Sequence, residues 1–571
     1  MRITRVVVVC FAVMLSSASS FAAAPSPDSK TAYAQILSQI VAREDQFLTN
    51  IKSYSPLLET YIQNLKPDQE LGSVPTGDQY FIGRLDMTKG VNDLAFTEDK
   101  GGWIHRIFGS FPGGSMKYAG AGFATVTPDT RGVDTSIYDY IYIRREFLGD
   151  VRCLVFDLSP KKGTGQGRFL GRIWVEDQNY NIVRFNGTYA PRPRFGYYFH
   201  FDSWRLNMGP NLWLPAYIYS EESDMKYGFP PHHLSFKAQT RLWGYNVRNG
   251  NRQDELTEVL VEPTQNVKDK SDSGHDMNPV QAVRQWHSQA EANVMERLER
   301  AGLVAPEGEV DRVLNTVVNN IEIPNKIDIQ PEIHCRVLLT TPLESFSVGH
   351  TIVLSRGLLD VIPDEATLAA VLAHEMGHIM LTHGGSSESK YGFNDRMVFP
   401  DQAVFQKIQL GYPEKEEKDA DAKGLELMKN SPYADKLGNA GLFLRALQQR
   451  APVMPHLIRA HLGNGLALGN DLRMGDLMTS APELDVKKMD QIAALPMGAR
   501  IKVDPWNDKA ELSKAKPVAL LSAREKLMFE VTPVYPWVAR VGGANPSERV
   551  ATTQPTTQEP ATAAPAQVPS N

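Results

Sequence analysis

The chain has 571 residues, of which 42% are hydrophobic, so it is long enough for two or three domains with their own cores. Its 60 basic and 66 acidic residues give a net charge of −6, which provides no electrostatic footprint for nucleic acid. Only Cys153 and Cys335 follow the first ten residues, too few for a disulfide framework. We expect buried free thiols, with a bridge between domains as the alternative.

The N-terminus has the layout of a secretory signal peptide. Arg2 and Arg5 precede an apolar run from Val6 to Leu15, and small residues follow up to Ala24. The run is too short to span a bilayer, and no later window approaches the roughly 18 apolar residues that a span requires. We predict a signal peptide over residues 1–23 and an exported mature chain without a transmembrane segment. The periplasm is the expected compartment, with secretion as the alternative.

The next 240 or so residues change from a helical to a β pattern. Residues 25–75 are predicted to be helical, because apolar residues between Lys30 and Leu65 keep mostly four-residue spacing. Residues 76–265 contain short aromatic and β-branched runs broken by Gly, Pro and Asn, which predicts a mostly antiparallel β domain. The strand candidates are Ile141–Arg144, Cys153–Leu158, Phe169–Val175, Ile182–Gly187, Tyr198–Trp204, Trp213–Tyr219 and Phe236–Tyr245.

Part of this β region, Gly149 to Tyr189, resembles a known family. Its runs Phe156-Asp157-Leu158-Ser159-Pro160-Lys161 and Gly171-Arg172-Ile173-Trp174-Val175-Glu176-Asp177 are similar to those of LolA-like lipoprotein-sorting proteins. The resemblance implies a curved sheet that shelters acyl chains or a peptide, and an outer-membrane or lipoprotein partner. In such a sheet, seven aromatic residues are candidates to line an apolar trough. The alternative is that they are ordinary aromatic residues of the sheet core. The trough candidates are Trp174, Phe185, Tyr198, Phe201, Trp204, Trp213 and Tyr217.

A polar linker over residues 266–277 precedes a second domain, which we predict to span residues 278–541. Helical patterns over 280–298 and 310–321 come before two strands, Cys335–Thr340 and Thr351–Leu354. The second strand is the candidate edge on which an extended polypeptide could add as an extra strand. Residues 542–571 have too little apolar surface to fold, so a disordered tail is expected.

The chemistry of this domain centres on His374-Glu375-Met376-Gly377-His378. At about 100° per residue, His374 and His378 project from one face of a helix and can hold one cation. Glu375 is close enough to hydrogen-bond a water on that cation without being a ligand, which is the H-E-x-x-H arrangement of zinc hydrolases. Two core histidines would give the same spacing. A third ligand separates the two interpretations.

A second predicted helix, from Glu417 to Met428, offers that ligand. Glu417, Asp421 and Gly424 share one face. Glu417 could complete a site of two histidines and one glutamate for one Zn²⁺, and Asp421 could hold a ligand histidine through its second ring nitrogen. The alternative is a solvated acidic run with interleaved lysines.

From about Gly308 to Pro432 the sequence resembles the HtpX-like, BepA-like and CAAX-prenyl-protease-like gluzincin endopeptidases. The resemblance depends on Ser355-Arg356-Gly357-Leu358-Leu359, the helix that carries His374, and Glu417-x-x-x-Asp421. It implies that Glu417 is the third zinc ligand and that Asp421 supports the site.

The sequence departs from this family at two places. Glu344-Ser345 stands where the family usually has Asn-Ala before its substrate-binding strand, and the late Thr-His-Pro segment with a following arginine is missing. The residue that stabilises the transition state is therefore unassigned. His456, Arg459 and His461 are candidates, with surface residues as the alternative.

The expected fold is α+β: a mostly antiparallel β domain, possessing a LolA-like curved sheet if the resemblance holds, followed by a mainly α-helical zincin-type domain with a small sheet. The expected function is an exported zinc endopeptidase with Glu375 as the catalytic base, acting on extended or misfolded protein. The rival is a periplasmic chaperone or lipoprotein-handling protein with an inactive or self-blocked metal site.

Overall fold

The computed structural model describes thirteen stretches of the chain: residues 27–69, 72–86, 92–95, 123–191, 198–227, 232–245, 279–382, 410–459, 462–468, 471–485, 500–504, 506–512 and 529–541. The predicted signal peptide (1–23), linker (266–277) and tail (542–571) lie outside the described residues, as does His461.

A ten-stranded antiparallel sheet forms the first part of the molecule. Its strands are β1 (Leu57–Asp68), β2 (Gly72–Asp86), β3 (Asn92–Ala95), β4 (Tyr138–Leu148), β5 (Val151–Pro160), β6 (Arg168–Glu176), β7 (Ile182–Ala190), β8 (His200–Gly209), β9 (Leu212–Tyr227) and β10 (His232–Trp243). The spatial order is β3-β2-β1-β10-β9-β8-β7-β6-β5-β4, so only the β1–β10 pair joins strands distant in sequence. All seven predicted strands overlap β4 to β10, which confirms the predicted antiparallel sheet.

The predicted helical segment 25–75 needs a correction. Helix α1 spans Pro27–Asn50, but the later part of the predicted helical segment is wrong, because Leu57–Asp68 forms β1. Four-residue spacing fits a strand as well as a helix, since residues four apart in a strand also share a face. Leu57 and Tyr61 are buried on one face of β1, and Leu58 on the other. A strand buried on both faces cannot be distinguished from a helix by periodicity.

Helix α1 covers one face of the sheet. Ile40 and Phe47 of α1 belong to the same buried cluster as Phe185 of β7. Arg205 of β8 donates from two nitrogens to the two carboxylate oxygens of Glu44, each at 2.7 Å, and both side chains are only 1% exposed. This fork-to-fork ion pair fixes α1 on the sheet.

The predicted aromatic residues do not form a single trough. Phe185 and Phe201 lie in the cluster beneath α1. Four others, Trp174, Trp204, Trp213 and Tyr217, lie in the cluster that includes the second domain. Side chains alternate between the two faces along each strand, so aromatics of neighbouring strands were divided between two cores.

The second part of the molecule is mainly helical with small sheets, as predicted. Its helices are α2 (Pro279–Arg300), α3 (Glu309–Asn325), α4 (Arg356–Val361), α5 (Glu365–Met380), α6 (Glu414–Lys429), α7 (Leu437–Arg450) and α8 (Pro455–Ile458). Its main sheet contains β11 (His334–Leu338), β12 (Glu344–Val348), β13 (Thr351–Ser355) and β14 (Asn464–Gly465). Two hairpins follow: β15 (Ala467–Leu468) with β16 (Asp471–Leu472), and β17 (Ile501–Val503) with β18 (Ala510–Leu512).

The predicted substrate-binding edge is wrong. The strand order is β11-β13-β12-β14, so the predicted edge at Thr351–Leu354 lies inside the sheet, between a parallel and an antiparallel neighbour. The tight β12–β13 connection turns at Gly349, whose φ is +58°. This hairpin places β12, rather than β13, next to β14.

The ten-stranded sheet is joined to the helical part by buried hydrogen bonds. Asp78 of β2 accepts from the backbone N–H of Leu457 in α8 at 2.7 Å. Thr341, shortly before β12, donates its hydroxyl to Glu59 of β1 at 2.8 Å. The last described segment returns to the sheet, where the N–H of Val531 donates to the side chain of a β1 glutamine at 2.8 Å. The ten-stranded sheet therefore contacts the helical part both before β12, at Thr341, and after it, at Leu457.

Two further sequence expectations concern membranes and thiols. None of the helices in the described ranges is long and apolar enough to cross a membrane. Cys153 and Cys335 are both buried and unpaired, as expected from their number. Burial raises the pKa of the Cys153 thiol to about 12, so this thiol is protonated at neutral pH.

Candidate metal centre

The site is built where α6 packs closely on α5. A Cβ added to Gly377 of α5 would lie 2.7 Å from the backbone oxygen of Ala420. A Cβ added to Gly424 of α6 would lie 3.0 Å from the backbone of Ala373. Glycine at these two positions therefore lets the helix backbones meet, and this approach brings Glu417 to the histidines of α5.

His374, His378 and Glu417 converge, with one ligand atom from each lying within 4.8 Å of the others. The Nε2 atoms of the two imidazoles are 3.1 Å apart. One carboxylate oxygen of Glu417 is 3.2 Å from Nε2 of His374, and the other is 3.6 Å from Nε2 of His378. All three side chains are buried.

Asp421 lies on the side of the His374 imidazole that faces away from Glu417 and His378. Its Oδ1 is 2.7 Å from Nδ1 of His374, so the other ring nitrogen faces Glu417 and His378. Burial and the charge of Arg473 lower the pKa of His374, but hydrogen bonds to Asp421 and Glu417 more than offset this and raise that pKa to about 9. The pKa of His378 is lowered, chiefly by burial.

Glu417 is held as a carboxylate. Burial raises its pKa, but hydrogen bonds to His374 and His378 lower this pKa more, so that it ends below its ordinary value. Two imidazoles and an ionised carboxylate are the donor set of hydrolytic zinc sites.

Glu375 is buried beside this cluster. Its Oε1 accepts from the hydroxyl of Ser345 at 2.7 Å and from Nη1 of Arg473 at 2.9 Å. Its Oε2 is buried and has no hydrogen-bond partner among the residues that the structure describes. A buried carboxylate oxygen without a partner is costly unless a ligand or water completes it, so the residues present fit a metal with an associated water.

Tyr412 covers the other side of the histidines. Its ring stacks on the imidazole of His378, with centroids 3.9 Å apart and planes 13° from parallel. Its hydroxyl donates to the backbone oxygen of Ser347 in β12 at 3.1 Å. Burial raises the pKa of Tyr412, which therefore remains a neutral hydrogen-bond donor at physiological pH.

Two described stretches, residues 462–468 and 471–473, cross the site, and we name them together the strap. Residues 469 and 470 lie outside the described part of the chain. Within the strap, β14 pairs antiparallel with β12, where Glu344 faces Gly465 and Ser345 faces Asn464. The strap ends at Arg473, whose Nε lies 2.9 Å from Glu417 and whose Nη1 contacts Glu375. One guanidinium therefore bridges Glu375 and Glu417.

A small apolar cavity opens next to His374. The α5 and α7 side chains form its wall, and Leu466 and Met474 close it from the strap side. Its residues include Val371, Ala440, Phe443 and Leu444.

The structure brings together five of the predicted site residues: His374, Glu375, His378, Glu417 and Asp421. Of the candidates for a stabilising residue, His456 lies instead at the sheet, where its backbone N–H donates to Asp78 at 3.0 Å, and Arg459 is exposed. Arg473, Ser345 and Tyr412 were missed as site residues. Arg473 follows Glu375 by 98 positions with no motif to relate them.

Residues 305–461 match the model of Peptidase family M48. This match covers the two helices that carry the metal-binding cluster, and it supports a metallopeptidase. A search of curated proteins finds no significant sequence match.

Two solved structures align with the chain at low similarity. One is a LolA superfamily protein from Nitrosomonas europaea, with 11% identity, a TM-score of 0.18, and coverage of 36% of this chain and 91% of that one. The other is an outer membrane lipoprotein-sorting protein domain from Vibrio parahaemolyticus, with 12% identity, a TM-score of 0.20, and coverage of 38% and 94%. These scores are too low to inform function.

Proposed function

From the M48 match of residues 305–461 and the geometry of the metal-binding cluster, we propose that this protein is a gluzincin-type zinc endopeptidase. It hydrolyses peptide bonds in extended or misfolded protein segments. One Zn²⁺ per chain is held by His374, His378 and Glu417, and Asp421 orients His374. The observation that carries this proposal is the convergence of three buried ligand atoms from two helices distant in sequence.

The residues of the chain have separate roles in the proposed reaction. A Zn²⁺ held by these ligands would activate the attacking water and polarise the scissile carbonyl. Glu375 would accept a proton from the water at Oε2, which has no hydrogen-bond partner among the described residues, and pass it to the leaving amine. Ser345 hydrogen-bonds the other oxygen of Glu375 at 2.7 Å and so fixes the carboxylate. An extended segment would pair with the side of β12 that β14 occupies at Glu344 and Ser345, so β14 has to leave before a substrate can bind there.

The signal-peptide pattern of residues 1–23 supports export, with the periplasm as the working compartment, where the enzyme would act in envelope protein quality control. The partners are unfolded protein substrates. An outer-membrane or lipoprotein partner belongs to the same proposal through the sequence resemblance of the β region alone.

Metal analysis with matched variants tests this function. The purified protein is expected to hold one zinc per chain, and Glu417→Ala to lose it. Glu414→Ala is the control, since Glu414 is exposed on the same helix. Glu375→Gln is expected to keep zinc and to lower casein cleavage by about 10²- to 10⁴-fold. Cleavage of casein at the normal rate by Glu375→Gln would show that the base is assigned wrongly.

A pure binding function is the second candidate. The contact of Arg473 with Glu375 at 2.9 Å favours it, because a site closed by its own chain could serve a chaperone or a lipoprotein-handling protein. Chelator-sensitive cleavage of casein separates the two functions, since a binding protein would leave casein intact with or without metal.

A further inference from the structure

The strap occupies the position that an extended substrate needs. Ser345, which binds the candidate base Glu375, is also the residue that pairs with Asn464 of the strap. A strand edge offers one set of N–H and C=O groups, so β14 and an added strand cannot use the same positions of β12 at once.

Glu344 anchors the strap. Its Oε2 accepts from the backbone N–H of Leu462 at 3.0 Å and of Gly463 at 3.3 Å. Glu344 is fully buried. A carboxylate that accepts from two backbone N–H groups is a strong acceptor for this segment.

Arg473 holds the C-terminal end of the strap at the candidate site. Its guanidinium contacts Glu375 and Glu417, each at 2.9 Å, and it is 5% exposed. While the strap is seated, this guanidinium occupies the space between the two carboxylates, next to the position that a substrate would take.

The attachment is short enough to be reversible. Only two residue pairs join β14 to β12. Gly463 lies flat against Phe346, and a Cβ at position 463 would lie 2.7 Å from its ring. One methyl group at this position should therefore displace the strap while the side chains of Glu375, Glu417 and Arg473 keep their chemical identity.

We propose that the strap is a releasable internal inhibitor: it fills the substrate edge of β12 and places Arg473 on the catalytic base, and an extended unfolded polypeptide displaces it. This inference deepens the proposed function and depends on it for the role of Glu375. The occupant that replaces the strap is a polypeptide in β conformation, which recovers the same backbone hydrogen bonds.

Binding of fluorescein-labelled casein to the metal-free protein tests the inference without catalysis. Fluorescence anisotropy in excess chelator would compare wild type with Gly463→Ala and Arg473→Gln. Both variants are expected to bind casein at least about fivefold more tightly, because apparent affinity scales with the open fraction. The controls are Gly475→Ala, where the nearest atom to an added Cβ is 3.9 Å away, and Arg312→Gln, at an exposed position.

Cleavage by the zinc-loaded protein gives the second readout. Gly463→Ala is expected to cleave casein at least about fivefold faster than wild type. Unchanged casein binding in both folded variants, verified by circular dichroism, would overturn the inference while leaving wild-type cleavage as support for the peptidase. If the variants bind casein more tightly but no zinc-loaded form cleaves it, the inference about the strap stands and the proposed peptidase function is wrong.

A catalytic role for Arg473 would give a different set of results in the casein binding and cleavage measurements. If this guanidinium stabilised the transition state, Arg473→Gln would lower casein turnover and leave binding by the metal-free protein unchanged, and Gly463→Ala would match wild type. That combination also overturns the inference.

Discussion

Asp421 contacts His374 through Oδ1 and Nδ1, 2.7 Å apart, on the side of the imidazole away from the other two ligands. This contact fixes the ring so that Nε2 points to the metal position. We expect Asp421→Ala to weaken zinc affinity by about 10- to 100-fold, measured by competition with a chromophoric chelator. Asp419→Ala is the control, because Asp419 is exposed on the same helix. Equal zinc affinities of the two variants would contradict the orienting role.

Zinc affinity should also depend on pH. The pKa of His374 in the metal-free site is raised to about 9, so this imidazole is protonated at pH 7 and must lose a proton to bind zinc. The pKa of His378 is lowered, so His378 is already neutral. Apparent zinc affinity should therefore rise by about tenfold per pH unit between pH 6.5 and 8, and fall equally as pH decreases. A flat affinity over this range would contradict the proton on His374.

The residues of the candidate metal site could be predicted because their geometry is local. His374 and His378 are one helical turn apart, and Glu417 and Asp421 have the same spacing on the next helix. Local periodicity fixes which side chains share a face, so a pair of short patterns was sufficient to nominate the cluster. The sequence patterns did not show whether the two helices, α5 and α6, pack against each other.

Residues that depend on strand order could not be predicted in the same way. Arg473 reaches Glu375 only because β14 adds to β12, and a two-residue strand has no sequence pattern. The edge strand was misassigned because β12 and β13 are both short, buried and adjacent in sequence. Pairing with β11 puts β13 inside, and hydrophobic patterning does not specify that pairing.

The ion pair between α1 and the sheet should be essential for stability. Glu44→Ala would leave the guanidinium of Arg205 buried without its carboxylate partner. We expect the free energy of unfolding to fall by about 3–5 kcal/mol, measured by urea denaturation. Gln39→Ala, at an exposed position of α1, should change this free energy by at most about 0.5 kcal/mol. A loss below about 1 kcal/mol for Glu44→Ala would show that α1 is held mainly by its apolar face.

Gly424→Ala should damage the metal site although it favours the helix. Alanine in a helix interior is ordinarily more stable than glycine by about 0.5–1 kcal/mol, because the unfolded chain loses less entropy. Here the added Cβ would lie 3.0 Å from the backbone of Ala373 and His374, so α6 must move away from α5.

Because Glu417 is carried by α6, we expect this shift to weaken zinc binding and to destabilise the fold by about 1–3 kcal/mol. Zinc competition and urea denaturation would measure the two effects. Glu426→Ala is the matched control, since Glu426 is exposed two residues further along the helix. A gain of stability with unchanged zinc affinity in Gly424→Ala would mean that the α5–α6 contact yields without moving Glu417, and that glycine is not required there.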